Sequence, residues 1–216
     1  SMSHIDLRVM RNGIDGAFFA PDAVAPQPTL YGAGPNIVFT GQMDYAPNAL
    51  AVERMVHRIL PAIREARPQA EFHIVGRAPT PAVKALGRHD GVTVWGEVAD
   101  VRPFIAEANL VAAPLTIARG IQNKVLEAMA MAKPVLLSPE AATGIDAEDG
   151  VHFAVAEGDR MMIGRALALF EDPGRAHAMG EAARAFVLAE QSWPAMLAGL
   201  SELLRPTGAG SVRDAA

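Results

Sequence analysis

Residues 36–76 read NIVFTGQMDYAPNALAVERMVHRILPAIREARPQAEFHIVG. An apolar, β-branched run at 36–41 leads into a stretch at 47–66 with helical spacing of its apolar residues, and a second such run follows at 71–76. Strand, helix and strand in that order predict a crossover between parallel strands. The alternation continues. Strand-like runs recur at 92–96 (VTVWG), 109–115 (NLVAAPL), 134–138 (PVLLS) and 152–156 (HFAVA), with helical stretches at 80–88, 99–107, 120–132 and 158–170 between or after them. Nearly continuous apolar strands of this kind are expected where helices cover both faces of a parallel sheet. The fold class predicted is therefore α/β: a Rossmann-like, doubly wound parallel sheet of about six strands. Two further helices are expected at 173–190 and 192–204, opened by Asp172-Pro173 and by Ser192-Trp193-Pro194.

The chain has 216 residues, a formal charge of −5, an apolar half and no cysteine. That is enough apolar material for a sizeable core. Scattered basic residues give no footprint for a nucleic-acid backbone, so nucleic acid is excluded as the expected partner. Without cysteine there is no disulfide frame, thiol nucleophile or thiolate metal site, and a cytoplasmic location is the default expectation. No stretch reaches the roughly 20 apolar residues of a membrane span. The six histidines are dispersed without metal-ligand spacing, so no metal is expected. Met129, Met131, Met161 and Met162 read as packing residues. A proline- and alanine-rich stretch at 21–35 marks the one clear boundary. It divides a linker or interdomain segment at 1–35 from a domain at 36–205, with a frayed tail at 206–216. The opening RVMRNGIDGAFFAP reads as an interdomain segment, which predicts that the chain is part of a longer protein.

In a doubly wound sheet, ligands bind outside the carboxyl ends of the strands. After the first strand, Gly41 permits close approach of a ligand, and Asn48 stands near the start of the next helix. After the second, Arg77 is either an anion contact or a solvated charge. The third ends in WGEVAD, whose backbone around Gly96 and Val98 can face a base, with Asp100 read as the N-cap of the following helix. The fourth leads into RGIQNKVLEAMAMAKPV at 119–135. At 100° per residue, Gly120, Asn123, Lys124 and Glu127 share one stripe, with Ile121, Val125, Ala128, Met129 and Ala132 opposite. The first turn, from Gly120 to Gln122, would offer free N–H groups to a phosphate, and Glu127 could accept two hydroxyl hydrogen bonds from a ribose. The competing reading is an exposed Lys124–Glu127 pair at i,i+3. Periodicity alone leaves both open.

Taken together, RNGIDGAFFAP, IVFTGQMDYAPN, FHIVGR, VTVWGEVADVRPFIAEANLVAAPL and GIQNKVLEAMAMAKPVLLS resemble the C-terminal half of group 1 (family 4) glycosyltransferases of the GT-B type. The resemblance covers nearly the whole chain. In finer detail it is most like the sugar transferases of exopolysaccharide and PEP-CTERM loci. It implies the donor half of a retaining, metal-free enzyme that holds a nucleoside-diphosphate sugar and acts on a polysaccharide or glycolipid precursor. The implied partner is an N-terminal acceptor domain of the same protein, the catalytic residues are expected there, and any peripheral association with the inner face of the membrane would come through that half. Alone, the donor half is expected to be inactive.

The resemblance also implies roles. Glu127 matches the second glutamate of the family's paired-glutamate motif, the one that binds ribose, and the base is expected near Gly96 and Val98. Trp193 resembles the anchor of the family's terminal helix. Arg119 stands where the first glutamate is expected, and Gln42 and Asn48 stand where many members carry an arginine and a lysine for the diphosphate. Arg119 and Lys124, with Arg77 and with Gly41, Gly120, Ile121 and Gln122, are the expected diphosphate contacts in their place. The alternatives are a sugar-nucleotide epimerase of the same architecture or a non-catalytic nucleotide-sugar sensor. A plain dinucleotide-binding domain lacks its G-x-G-x-x-G after any strand.

Overall fold

A computed structural model describes residues 12–24, 30 and 34–198. Six strands form one parallel sheet in the order β3-β2-β1-β4-β5-β6. They are β1 (Asn36–Thr40), β2 (Glu71–Val75), β3 (Val92–Gly96), β4 (Leu110–Ala113), β5 (Val135–Leu137) and β6 (Ala154–Val155). The order reverses between β1 and β4, which pair directly. Connections to one side of β1 therefore cover one face and those to the other side cover the opposite face, and a crevice opens at the carboxyl ends of these two strands.

Every residue of β1, β4 and β5 is buried, as the continuous apolar runs predict for strands covered on both faces. β3 departs from that expectation. It is an edge strand whose residues alternate in exposure, leaving Trp95 37% exposed. β6 is shorter than the run at 152–156. Gly150 N–H donates to the Phe153 carbonyl at 2.7 Å and His152 N–H to that of Glu148 at 3.0 Å, so this part of the run is spent on a turn.

The helices are α1 (Ala46–Arg54), α2 (Leu60–Ala66), α3 (Pro81–Leu86), α4 (Arg102–Ala106), α5 (Asn123–Ala130), α6 (Pro139–Ala142), α7 (Gly158–Glu171), α8 (Pro173–Phe186) and α9 (Trp193–Leu197). The expected helix at 47–66 is α1 and α2 joined by a π-helical turn, Met55–Ile59. Pro61 explains the turn: it has no N–H for an i→i−4 bond, and a wider turn absorbs the gap. Asp172 caps α8 by accepting from Arg175 N–H, and Ser192 caps α9 by accepting from Ala195 N–H, as the sequence signals predict. Asp100 does not cap in this way. α4 starts two residues later with Val101 at its N-cap, and the Asp100 carboxylate instead grips the backbone and guanidinium of Arg102.

Sequence reading misses α6. Its cap is Ser138, which accepts from Ala141 N–H and donates to the Leu115 carbonyl at 2.6 Å. In the segment at 1–35, Ile14 is buried and pairs through its backbone with Gln191 and Trp193, so this portion packs on the junction of α8 and α9. Residues 1–11, 25–29 and 31–33 of that segment, the end of the helix expected at 192–204 and the expected tail at 206–216 lie outside the described residues.

One polar chain crosses the core beside the edge strand. Trp95 Nε1–H donates to His73 Nδ1 at 3.2 Å. Because an indole can only donate, Nε2 carries the imidazole proton and donates to Asn36 Oδ1 at 3.1 Å. Burial pushes the His73 pKa down to about 4. Protonation is thus easier in the unfolded chain, and stability is lost as pH falls from about 6.5 toward 4, by up to about 3 kcal/mol. Urea midpoints at pH 7 and pH 4.5 should show that loss, and His73→Gln should flatten the difference.

Candidate functional site

Three strands end in glycine-led turns that are laced together. Gly41 N–H donates to the Val75 carbonyl at 3.0 Å, Gly76 N–H to the Gly96 carbonyl at 2.8 Å, and Met43 N–H to the Arg77 carbonyl at 2.9 Å. Gly41 and Gly76 have φ of +156° and +152°. The approach is close enough that a Cβ on Gly76 would lie 1.7 Å from the Gly41 carbonyl oxygen. The turns after β1 and β2 therefore make a continuous floor.

Above that floor, facing the start of α5, is a cleft of about 580 Å³. Its lining includes Gly41, Arg77, Val98, Ile121, Gln122, Lys124 and Glu127. These residues come from turns spread over the sequence, and the sheet's carboxyl edge brings them together. Gly96 is not in the lining but anchors the turn that carries Glu97 and Val98 into it. Arg119 and Gly120 are exposed and also stand outside the lining. Sequence reading did not single out Thr40, Tyr45, Glu97 or Val101 as site residues, yet all line the cleft, as does Asn123 from the polar stripe. Glu97 was within reach of that reading, since it directly follows Gly96 in the turn proposed to face a base. Tyr45, 49% exposed, is the aromatic of the loop after β1. The Thr40 hydroxyl is buried and has no partner among the described residues.

The donor groups at the head of α5 are shifted from the expected ones. Gly120 sits at φ +67° and Gln122 is the extended N-cap, so the helix begins at Asn123 and not at Gly120. Val125 N–H already donates to the Gln122 carbonyl. The free first-turn N–H groups are therefore those of Asn123 and Lys124.

The exposed Lys124–Glu127 pair considered from periodicity is not formed. Both side chains are half-buried, and Lys124 Nζ donates to Asn48 Oδ1 on α1 and lies 4.2 Å from the centre of the Phe39 ring. Asn48 Nδ2 in turn donates to the Gln42 carbonyl at 2.9 Å. On the facing wall, Arg77 Nη2 donates to Gln42 Oε1 at 2.8 Å. Burial lowers the Lys124 pKa to about 8 against the opposing pull of Glu127. Burial raises that of Glu127 while Lys124 lowers it. A carboxylate, an ammonium and a guanidinium thus share one concave site with free N–H groups, a combination suited to a ligand bearing both hydroxyls and negative charge.

The sequence profile of the family described as Glycosyl transferases group 1 matches residues 34–172. The chain belongs to this family. Among solved structures, the group 1 domain is similar to a glycosyltransferase from Rickettsia africae, with a TM-score of 0.74 at 17% identity over 91% of this chain and 56% of that one. It is similar to HepE from Anabaena, solved in complex with UDP-glucose, with a TM-score of 0.72 at 18% identity over 91% and 57%. Sucrose-phosphate synthase from Thermosynechococcus elongatus gives a TM-score of 0.73 at 20% identity over 92% and 52%. At these identities the likeness establishes the fold, and the chain spans little more than half the length of each. None of the curated proteins matches the sequence significantly. Among the described residues, no helix is long and apolar enough to cross a membrane.

Proposed function

We propose that this group 1 domain is the donor-binding half of a retaining glycosyltransferase, holding a nucleoside-diphosphate sugar for transfer to a polysaccharide or glycolipid precursor. The observation that carries the reading is the convergence of Glu127, Lys124 and Arg77 on one cleft at the carboxyl edge of the sheet. Glu127 accepts the ribose hydroxyls, and the turn of Gly96 and Val98 receives the base. Lys124 and Arg77 meet the diphosphate, which approaches over Gly41, Ile121 and Gln122. Arg119 and Gly120 stand outside the lining, so the charge in this reading rests on Lys124 and Arg77. HepE, similar in fold, is solved with UDP-glucose, which supports a nucleotide sugar as the ligand class.

Transfer requires that a nucleoside diphosphate depart, and fixed cations in a dry cleft stabilise the charge that develops on it. No metal is invoked for this step. An acceptor domain elsewhere in the same protein completes the site, and the isolated domain binds without turnover. The finer assignment to exopolysaccharide and PEP-CTERM-associated transferases rests on the GIQNKVLEAMAMAKPV and MDYAPN sequences, and that setting implies a cytoplasmic enzyme working at the inner face of the membrane.

Calorimetric titration with UDP, GDP, ADP and their sugars tests the reading; binding of one base series is expected, and failure of all of them would end it. The same titration has a predicted pH dependence. Lys124 is charged below its pKa of about 8 and neutral above it, so diphosphate affinity is expected to fall as pH rises beyond 8. A bound anion lifts that pKa and moves the decline upward. A constant affinity from pH 7 to 10 would remove Lys124 from the contact.

A further inference from the structure

Several arginines among the described residues are paired with carboxylates. Arg54 and Arg58 share Asp159 at 2.6 and 2.5 Å, Arg102 pairs with Asp100 at 2.6 Å, and Arg165 pairs with Asp149 at 2.5 Å. Arg64 and Arg184 hold backbone carbonyls. The two cations that line the cleft likewise have no carboxylate in contact, but their holders are side chains. Each is held by a neutral side-chain amide, Arg77 by Gln42 and Lys124 by Asn48. The two holders are themselves joined, because Asn48 Nδ2 donates to the Gln42 carbonyl. That bond turns the Asn48 amide so that its oxygen faces Lys124. The Phe39 ring beside Nζ adds attraction through its π face and no counter-charge.

The chemical distinction is between holding a charge and cancelling it. A carboxylate in either place would fix the cation at least as firmly but would remove its field, whereas an amide oxygen orients the cation and leaves its full charge for a ligand. We infer that Gln42 and Asn48 are positioning residues that present Arg77 and Lys124, uncompensated, as a pair of cations to the diphosphate of the donor. The inference rests on the nucleotide-sugar reading given above and adds how one loop aims charges that it does not carry. The other charged groups facing the cleft are Glu127 on α5 and Glu97 in the turn after β3. Glu127 acts on Lys124 through space but forms no ion pair with it.

The test uses the 216-residue chain titrated with UDP, GDP and ADP. Gln42→Glu preserves the shape and the acceptor but adds a negative charge; Asn48→Asp does the same and also loses the Nδ2–H bond to the Gln42 carbonyl, so Gln42→Glu is the cleaner variant. Asn48→Asp is expected to weaken diphosphate binding about 30-fold and Gln42→Glu about 10-fold. Asn48→Ala removes the acceptor and is expected to weaken binding about 10-fold. It should also move the alkaline decline in affinity to lower pH, because a buried ammonium without its partner gives up its proton more readily. A purely structural role predicts the opposite for the acidic variants: a stronger ion pair, an equal or higher Tm and unchanged affinity. Gln42 is exposed, so Gln42→Glu stays folded and keeps the test open even if a change at the buried Asn48 does not.

Unchanged affinity in both acidic variants overturns the inference. If Glu127→Ala weakens binding while the amide variants do not, the inference alone fails. If no nucleotide binds, or Glu127→Ala is silent as well, the cleft reading fails and the inference falls with it.

Discussion

Glu127→Ala is expected to lower the affinity for the nucleoside diphosphate by about 100-fold. A carboxylate that accepts two ribose hydroxyls makes two charge-assisted hydrogen bonds, each worth about 1.5–3 kcal/mol, and each 1.4 kcal/mol is about tenfold in affinity. The lower end of that range already gives about 100-fold. The sharper measurement compares ribonucleotides with 2′-deoxynucleotides. The wild-type chain should prefer the ribonucleotide about tenfold, and Glu127→Ala should abolish the preference, because the group that distinguishes them is gone. A preference that survives the substitution would assign ribose recognition to another group. Loss of the fold is not the expected cause of weaker binding. Glu127 is half-buried on α5, burial raises its pKa, and alanine is the best helix former.

Gly76→Ala is expected to have the largest effect on stability, about 3 kcal/mol or more. The added Cβ would lie 1.7 Å from the Gly41 carbonyl oxygen and 2.7 Å from its carbon, and neither atom belongs to a side chain that can swing away. The φ of +152° adds backbone strain for any L residue. Relief requires the turns after β1 and β2 to separate, which breaks the floor of the cleft, so nucleotide binding should be lost even where the fold survives. Gly120→Ala is the matched control. Its φ is +67°, but nothing lies within 4 Å of the new Cβ, so only the left-handed strain of about 1 kcal/mol remains. Urea unfolding of the two variants measures the difference, and equal losses would mean that the contact between the turns is not a constraint.

The architecture was legible because burial on both faces leaves a trace in a single chain. Ile37, Val38 and Phe39 in β1 and Val135, Leu136 and Leu137 in β5 are all essentially inaccessible, and no local signal competes with such runs. β3 misled because an edge strand alternates in exposure, while Val92, Val94 and Trp95 look like another buried run. The helix α6 was available from Ser138-Pro139, the same kind of opening that located α8 and α9, but only four residues follow it, too few for periodicity to register. The start of α5 was misplaced by three residues because the stripe from Gly120 to Glu127 is continuous on paper, while Gly120 adopts a backbone conformation that no helix continues through.

The candidate site was legible in its parts and not in its wiring. Gly41 and Arg77 could be chosen because ligands bind at the carboxyl ends of the strands, while Lys124 and Glu127 stayed ambiguous on periodicity and took their roles from the family resemblance. That Lys124 reaches back to Asn48, 76 residues earlier in the chain, has no local signature, and neither does the pairing of Arg77 with Gln42. Arg119 drew attention through what it replaces in a motif. Side-chain direction decides whether such a residue enters the cleft, and Arg119 is exposed outside the lining.

One guanidinium ties the binding helix to the rest of the domain. Arg184 on α8 donates to the Ala130 carbonyl at the end of α5 and to the Phe19 carbonyl in the segment before the sheet. Gly180, one turn earlier, lets α8 settle so closely that a Cβ there would lie 2.1 Å from the Ala132 carbonyl oxygen. The helix that carries Lys124 and Glu127 is thus held at its far end by α8, which also grips the segment before the sheet. Where Lys124 and Glu127 stand in the cleft therefore depends on a contact made at the opposite end of their own eight-residue helix.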